Sequence, residues 1–168
     1  MTDPLEIFAR AEDFRRTSIL LINSLGAPKQ IDATRLVPQA VNSAFSSELF
    51  LKCLHLLDHK KPAPMVHALD RLFALLNVST QNEINRAWTK MRRTLPTKFL
   101  QRTQEPGLLE CLKESSIAFE HYRYLFELAP VRYRIQNLPD VLRNVCVTRN
   151  PTWPSLYETA YQITLVKT

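Results

Sequence analysis

Two charged side chains stand in the most apolar segment of the sequence, and they are the first candidates for chemistry. Glu48 and Lys52 are four residues apart, with leucine, phenylalanine and cysteine residues on both sides. In a helix this order and spacing favour an ion pair. One interpretation is a surface pair on the solvent-facing edge of a bundle helix, worth about 0.2–0.5 kcal/mol. The other is a partly buried pair that reaches into a cleft, which is costly to desolvate and often marks a functional site.

A later helical segment carries an arginine beside its aromatic core stripe. Arg123 has Glu127 four residues after it. The guanidinium therefore has two candidate partners. It can form a solvated pair with Glu127 on the flank of its own helix, or it can hold the Glu48 carboxylate of a neighbouring helix.

Signals for metal, cofactor and triad chemistry are weak. His55 and His59 are four residues apart with Asp58 between them, but the HExxH pattern is absent. We therefore expect solvent-facing or end-of-helix histidines and no metal site. The sequence contains only two glycines, Gly26 and Gly107. Glycine-rich phosphate loops and the GxSxG elbow need closely spaced glycines, so the sequence predicts no nucleotide cofactor of those kinds. No serine, histidine and acid stand in a context that indicates a triad.

A basic stretch is the main candidate for contact with nucleic acid. The net charge is +6, and the segment from Ile84 to Gln104 contains no acidic residue. Arg86, Lys90 and Arg93 fall on one face of a predicted helix, which is the arrangement of a phosphate-contacting stripe. The candidate contacts are Arg86, Lys90, Arg93, Lys98 and Arg102. A solvated helix face is the alternative explanation of such a run.

Helical periodicity dominates the chain, so the sequence predicts an all-α fold. Pro4 and Pro139 suit first helical turns, and Thr80-x-x-Glu83 predicts a capping box ahead of a helix. The predicted helices run from about Pro4 to Leu25, Asp32 or Pro38 to His59, Val66 to Leu76, Gln81 to Leu95, Leu108 to Leu128, Leu138 to Cys146 and Leu156 to Val166. The last of these is also β-prone, so helix and strand both stay open there.

These elements predict one domain over residues 1–168. We expect an antiparallel up-and-down bundle of four to five core helices over about residues 4–130, with a C-terminal helical extension over about 131–168. The three widely spaced cysteines predict reduced, buried thiols. The acidic N-terminus does not resemble a secretory signal and no apolar run is long enough for a membrane span, so we expect a cytoplasmic protein.

Three short motifs in order resemble the HEPN superfamily, most closely small bacterial members. They cover roughly residues 35–130 and match an AFxxELxLK helix, an HxL turn and a later RYxxE helix. The matching residues are Ala44 to Lys52, His67 to Leu69, and Arg123 to Glu127. The resemblance implies a helical bundle that is often a homodimer, with relatives in toxin–antitoxin, antiphage defence and RNA-processing systems. The polar set that it carries over by position is Glu48, Lys52, His67, Arg123 and Glu127.

Many HEPN proteins are metal-independent ribonucleases that use an Arg-x4–6-His motif. In that chemistry the arginine binds the phosphate and the histidine transfers a proton. No arginine precedes any of the four histidines at that distance. The resemblance therefore favours a non-catalytic binding or assembly module that contacts RNA or a partner protein. The alternatives are a divergent endoribonuclease, with Arg123, His121 or His67 acting across a dimer cleft, and a nucleotide or small-ligand sensor at Glu48, Lys52 and Arg123.

Overall fold

The structure is a computed structural model that describes residues 3–24, 33–94, 107–121 and 137–158. Within these segments it contains helices and no strand, which confirms the all-α prediction. The elements are α1 Pro4–Asn23, a 3-10 turn Ala33–Arg35, α2 Leu36–His59, α3 Leu69–Ala74, α4 Val78–Thr94, α5 Leu108–His121 and α6 Leu138–Arg149. A further helical stretch covers residues 153–158.

Local sequence signals set several of the helix ends. Asp3 caps α1, because its side chain accepts a hydrogen bond from the Leu5 amide at 2.9 Å, and Pro4 occupies the first turn. Pro139 lies in the first turn of α6, as its position predicted. At the C-terminal end of α2, Lys60 adopts the left-handed conformation with φ 56°, and its amide donates to the Leu56 carbonyl.

Three predicted helix starts were wrong. The last helical stretch begins at residue 153 rather than near Leu156. The third helix begins at Leu69 rather than near Val66. The fourth begins at Val78, so Thr80 lies inside it and does not cap it. The Thr80 hydroxyl instead donates to Asp58 at 2.7 Å, and the Gln81 amide donates to the Asn77 carbonyl. The capping-box motif was misleading because the helix begins before Thr80, whose hydroxyl then bonds to a side chain of α2 rather than to the local backbone.

The first two helices pack antiparallel and form the most extensive pair among the described helices. Phe8 packs on Phe50 with ring centroids 5.7 Å apart. About three turns further along α1, buried Ser18 accepts a hydrogen bond from Gln39 at 2.8 Å. The two helices therefore run in opposite directions. Small residues allow this close approach, since the Ser46 hydroxyl donates to the Ala11 carbonyl.

The remaining long helices complete an up-and-down arrangement. Arg149 near the end of α6 contacts Thr80 near the start of α4, while Asn137 before α6 contacts Met91 near the end of α4, so these two helices are antiparallel. The C-terminal extension contributes to the core, because the apolar face of α6 is buried together with that of α2. That face consists of Leu138, Val141, Leu142, Val145 and Cys146.

The core confirms the prediction for the cysteines. Cys53, Cys111 and Cys146 are buried and none forms a disulfide. Burial raises the pKa of the Cys146 thiol well above its ordinary value, with the neighbouring Cys53 adding to the shift. None of the described helices combines the length and apolar character that a membrane span requires.

Candidate functional site

The polar cluster of α2 is built around one buried carboxylate. Glu48 is 6% exposed, and its Oε1 accepts hydrogen bonds from Lys52 Nζ at 2.6 Å and His67 Nδ1 at 3.0 Å. The partly buried ion pair that the sequence suggested is therefore present, and His67 joins it from the loop before α3. Arg123 and Glu127, the other members of the predicted set, lie outside the described residues.

The space beside this cluster is small. A cavity of about 10 Å³ separates Glu48 and His67 from α5, where Ser115 and Ser116 face it. That volume holds about one water molecule. The Ser116 hydroxyl is also occupied, because it accepts a hydrogen bond from the Leu69 amide at 2.7 Å and donates to the Leu112 carbonyl. Among the described residues the cluster therefore joins α2, α3 and α5, and its cavity is far smaller than a nucleotide.

The two histidines of α2 are engaged by backbone carbonyls. His55 is buried and its Nδ1 lies 3.2 Å from the Lys61 carbonyl, so the prediction of a solvent-facing histidine was wrong there. Burial, together with the nearby His59, lowers the pKa of His55. His59 ends α2 as predicted, with Nε2 2.9 Å from the Leu75 carbonyl. No group of three metal-ligating side chains occurs in the described part of the chain.

The basic stripe lies on the exposed face of α4. Arg86, Lys90 and Arg93 are all exposed and border one shallow concave surface, which confirms that they share a face. None of the three makes an ion pair or hydrogen bond with the side chains of residues 3–24, 34–94, 107–117 or 137–158. Lys98 and Arg102 lie outside the described residues.

A groove of about 650 Å³ runs beside this stripe, between α4 and α6. Arg86 and Lys90 line it as well as the basic face. The two acidic residues at the groove are each paired with an arginine: Glu83 with Arg149 at 3.0 Å, and Asp140 with Arg15 at 3.4 Å. The cations of the groove thus lack acidic partners in the described chain, whereas its anions are neutralised.

Sequence reasoning missed the network that holds this groove together. The buried Asp58 carboxylate accepts hydrogen bonds from the Thr80 hydroxyl, the Asn77 amide and the Arg149 guanidinium. The Arg149 guanidinium also donates to Glu83. Burial opposes ionisation of Asp58, but these donors outweigh it and lower the pKa of the carboxyl. The network fixes the C-terminal end of α6 against α2 and α4.

A second missed cluster surrounds Glu12, which is 1% exposed. Its carboxylate contacts Arg143 at 2.8 Å, Arg15 at 3.1 Å and Arg16 at 3.9 Å. A sequence signal was available, because Glu12 follows the buried Phe8 by four residues and so falls on the core face of α1. An acid at a core position indicates a buried charge that requires partners.

Comparisons with protein-family models, curated proteins and solved structures found no match to this chain. The candidate sites therefore depend on their own geometry: a polar cluster on α2 with a buried carboxylate and an exposed His67, and an open basic face with an adjoining groove on α4 and α6.

Proposed function

We propose that this chain is a non-catalytic, HEPN-like binding module that contacts RNA through the basic face of α4. The observation that carries the proposal is the charge arrangement there. Arg86, Lys90 and Arg93 are exposed without acidic partners in the described chain, while the acids of the adjoining groove are already paired. The proposal includes a cytoplasmic homodimer, and the reduced, buried thiols are in keeping with that compartment.

Unpaired cations on one helix face are suited to phosphate binding. Binding to a polyanion releases the condensed counterions, and this release provides most of the sequence-independent affinity for nucleic acid. A cation already paired with a carboxylate contributes less, because the existing ion pair must first be broken. Arg86, Lys90 and Arg93 form no ion pair with the described acidic residues, so no such pair has to be broken before they bind a phosphate.

The buried Glu48 carboxylate of the α2 cluster is poorly placed to act as a general base. This carboxylate is engaged by both Lys52 and His67, and the adjoining cavity holds about one water molecule. A general base needs access to the substrate proton, and a phosphodiester does not fit into that cavity.

The proposal is tested by fluorescence anisotropy with a short labelled RNA over a range of salt concentrations. Changing Arg86, Lys90 and Arg93 together to alanine should reduce affinity strongly. It should also flatten the slope of log K against log salt by about 2, from about 0.7 for each single-strand phosphate contact. The matched control changes Lys61, Arg71 and Lys113, which are exposed cations elsewhere, to alanine.

The control removes the same formal charge, so the proposal fails if both triple variants behave alike or if the wild type does not bind RNA. The dimer is tested by the solution mass, which should be twice that of one chain. The ribonuclease alternative is tested on the same RNA in EDTA. Cleavage that His67→Ala abolishes would overturn the non-catalytic assignment.

A further inference from the structure

We infer that the groove between α4 and α6 receives unpaired bases, so that the module selects single-stranded over double-stranded RNA. This inference rests on the proposed function and deepens it, since it names the form of RNA that the basic face binds. Three properties of the groove carry it: its apolar floor, an unpartnered amide at its rim and its shared border with the basic face.

The floor of the groove is apolar and belongs to the core. It is formed by Ala87 and Met91 of α4 and by Val141 and Val145 of α6. Val141 and Val145 are 2% and 4% exposed and are held in the main hydrophobic cluster, so the floor is preformed. The Met91 sulfur accepts a weak hydrogen bond from Asn137 at 3.8 Å. Thioethers make favourable contacts with aromatic rings, which suits the face of a base.

The rim supplies groups that can bond to a base edge. Asn144 lines the groove and is exposed, and its side-chain amide makes no hydrogen bond to the described part of the chain. An amide carries both a donor and an acceptor, the pair that asparagine uses with nucleobases. The neighbouring Thr148 hydroxyl donates to the Asn144 carbonyl and keeps lone pairs available.

The position of the cations links this groove to the phosphate-binding face. Arg86 and Lys90 border the groove on one side and the exposed surface of α4 on the other. They are four residues apart, which is about 6 Å along the helix axis. A backbone that follows these two cations therefore runs along the mouth of the groove, with its bases within reach of the floor.

A single strand meets these requirements better than the other candidate occupants. In a duplex the base faces are stacked and covered, whereas the unstacked bases of single strands are open to apolar contact and edge hydrogen bonding. An acidic amphipathic peptide would use the cations and the floor but would not need the Asn144 amide. The volume of about 650 Å³ lies in the range of about 300–1,000 Å³ that is usual for small-ligand sites.

The test compares three labelled probes: an unstructured RNA, its duplex with the complementary strand, and an abasic strand of the same length. We expect the unstructured RNA to bind about tenfold more tightly than either of the others. Asn144→Leu fills the rim without adding charge or an aromatic face, and it should remove this advantage. Asn82→Leu is the matched control, since Asn82 is an exposed amide of α4 that borders the stripe but not the groove.

The possible results separate the two proposals. Equal affinity for the three probes, or equal effects of Asn144→Leu and Asn82→Leu, would overturn the groove assignment while RNA binding stood. Failure of every RNA to bind would remove both. An acidic helical peptide that binds in place of RNA, with its affinity unchanged by Asn144→Leu, would also overturn the inference. Circular dichroism of both variants establishes that each is folded.

Discussion

Replacing Arg149 by methionine should destabilise the fold by about 2–3 kcal/mol, because it leaves the Asp58 carboxylate without its cation. The Arg149 guanidinium donates to Asp58 at 2.9 Å, to Thr80 at 2.6 Å and to Glu83 at 3.0 Å. The Asp58 side chain is 5% exposed. Methionine retains an unbranched apolar stem in place of the arginine methylenes while removing the charge and all three hydrogen bonds.

The magnitude follows from burial. Removing one partner of a fully buried ion pair costs about 3–5 kcal/mol. Here the Arg149 side chain is 23% exposed, and Asp58 keeps the hydrogen bonds from Thr80 and the Asn77 amide. Both facts lower the cost, which gives the value of about 2–3 kcal/mol. For a chain of this size the melting temperature should fall by about 2–4 °C per kcal/mol, or roughly 4–12 °C in total.

Urea unfolding followed by circular dichroism measures this cost. A double-mutant cycle with Asp58→Asn isolates the coupling between the two charges, which should be at least about 1 kcal/mol. The control is Arg10→Met, because Arg10 is 77% exposed and its contact with Asp13 spans 3.4 Å. It should change stability by less than about 1 kcal/mol. The reasoning is refuted if Arg149→Met is as mild as this control, or if the coupling is near zero.

Three further predictions concern titration and reactivity. The fold lowers the pKa of His55, so the His55 side chain is protonated more readily in the unfolded chain than in the folded one. Wild-type stability should therefore decrease as pH falls below 6.5. Urea titrations at several pH values measure this decrease, and His55→Gln should remove most of it. Burial and a hydrogen bond to Asp13 raise the pKa of Tyr157 from 10.0 to about 12, so the fold retains a proton that the unfolded chain loses. Wild-type stability should fall more steeply than that of Tyr157→Phe between these pH values, and parallel curves would contradict this. The three buried thiols should resist a thiol reagent in native buffer and all react in denaturant; rapid labelling of any one in the native state would refute its burial.

Much of the fold was predictable because its signals are local. Pro4 and Pro139 begin helices for reasons contained in their own rings. The segment around Glu48 and Lys52 is apolar nearly all round, which is typical of a central helix, and α2 is largely buried. The pair Glu48 and Lys52 was also predictable, since four residues in a helix bring two side chains together whatever the rest of the chain does. Thr80 was misread because its hydroxyl bonds to Asp58, a residue on another helix.

The sequence by itself determined the helical class, the burial of the thiols and the presence of three cations on one face of α4. Tertiary structure alone decided which charges are neutralised. Glu83 meets Arg149 across 66 residues and Glu12 meets Arg143 across 131, and no helical spacing links either pair. The cations of α4 stand out because those long-range contacts engage the nearby acids, and the groove beside them exists only because α6 packs against α4. Periodicity predicts how one helix presents its side chains, but partners on different helices meet only when the whole core packs.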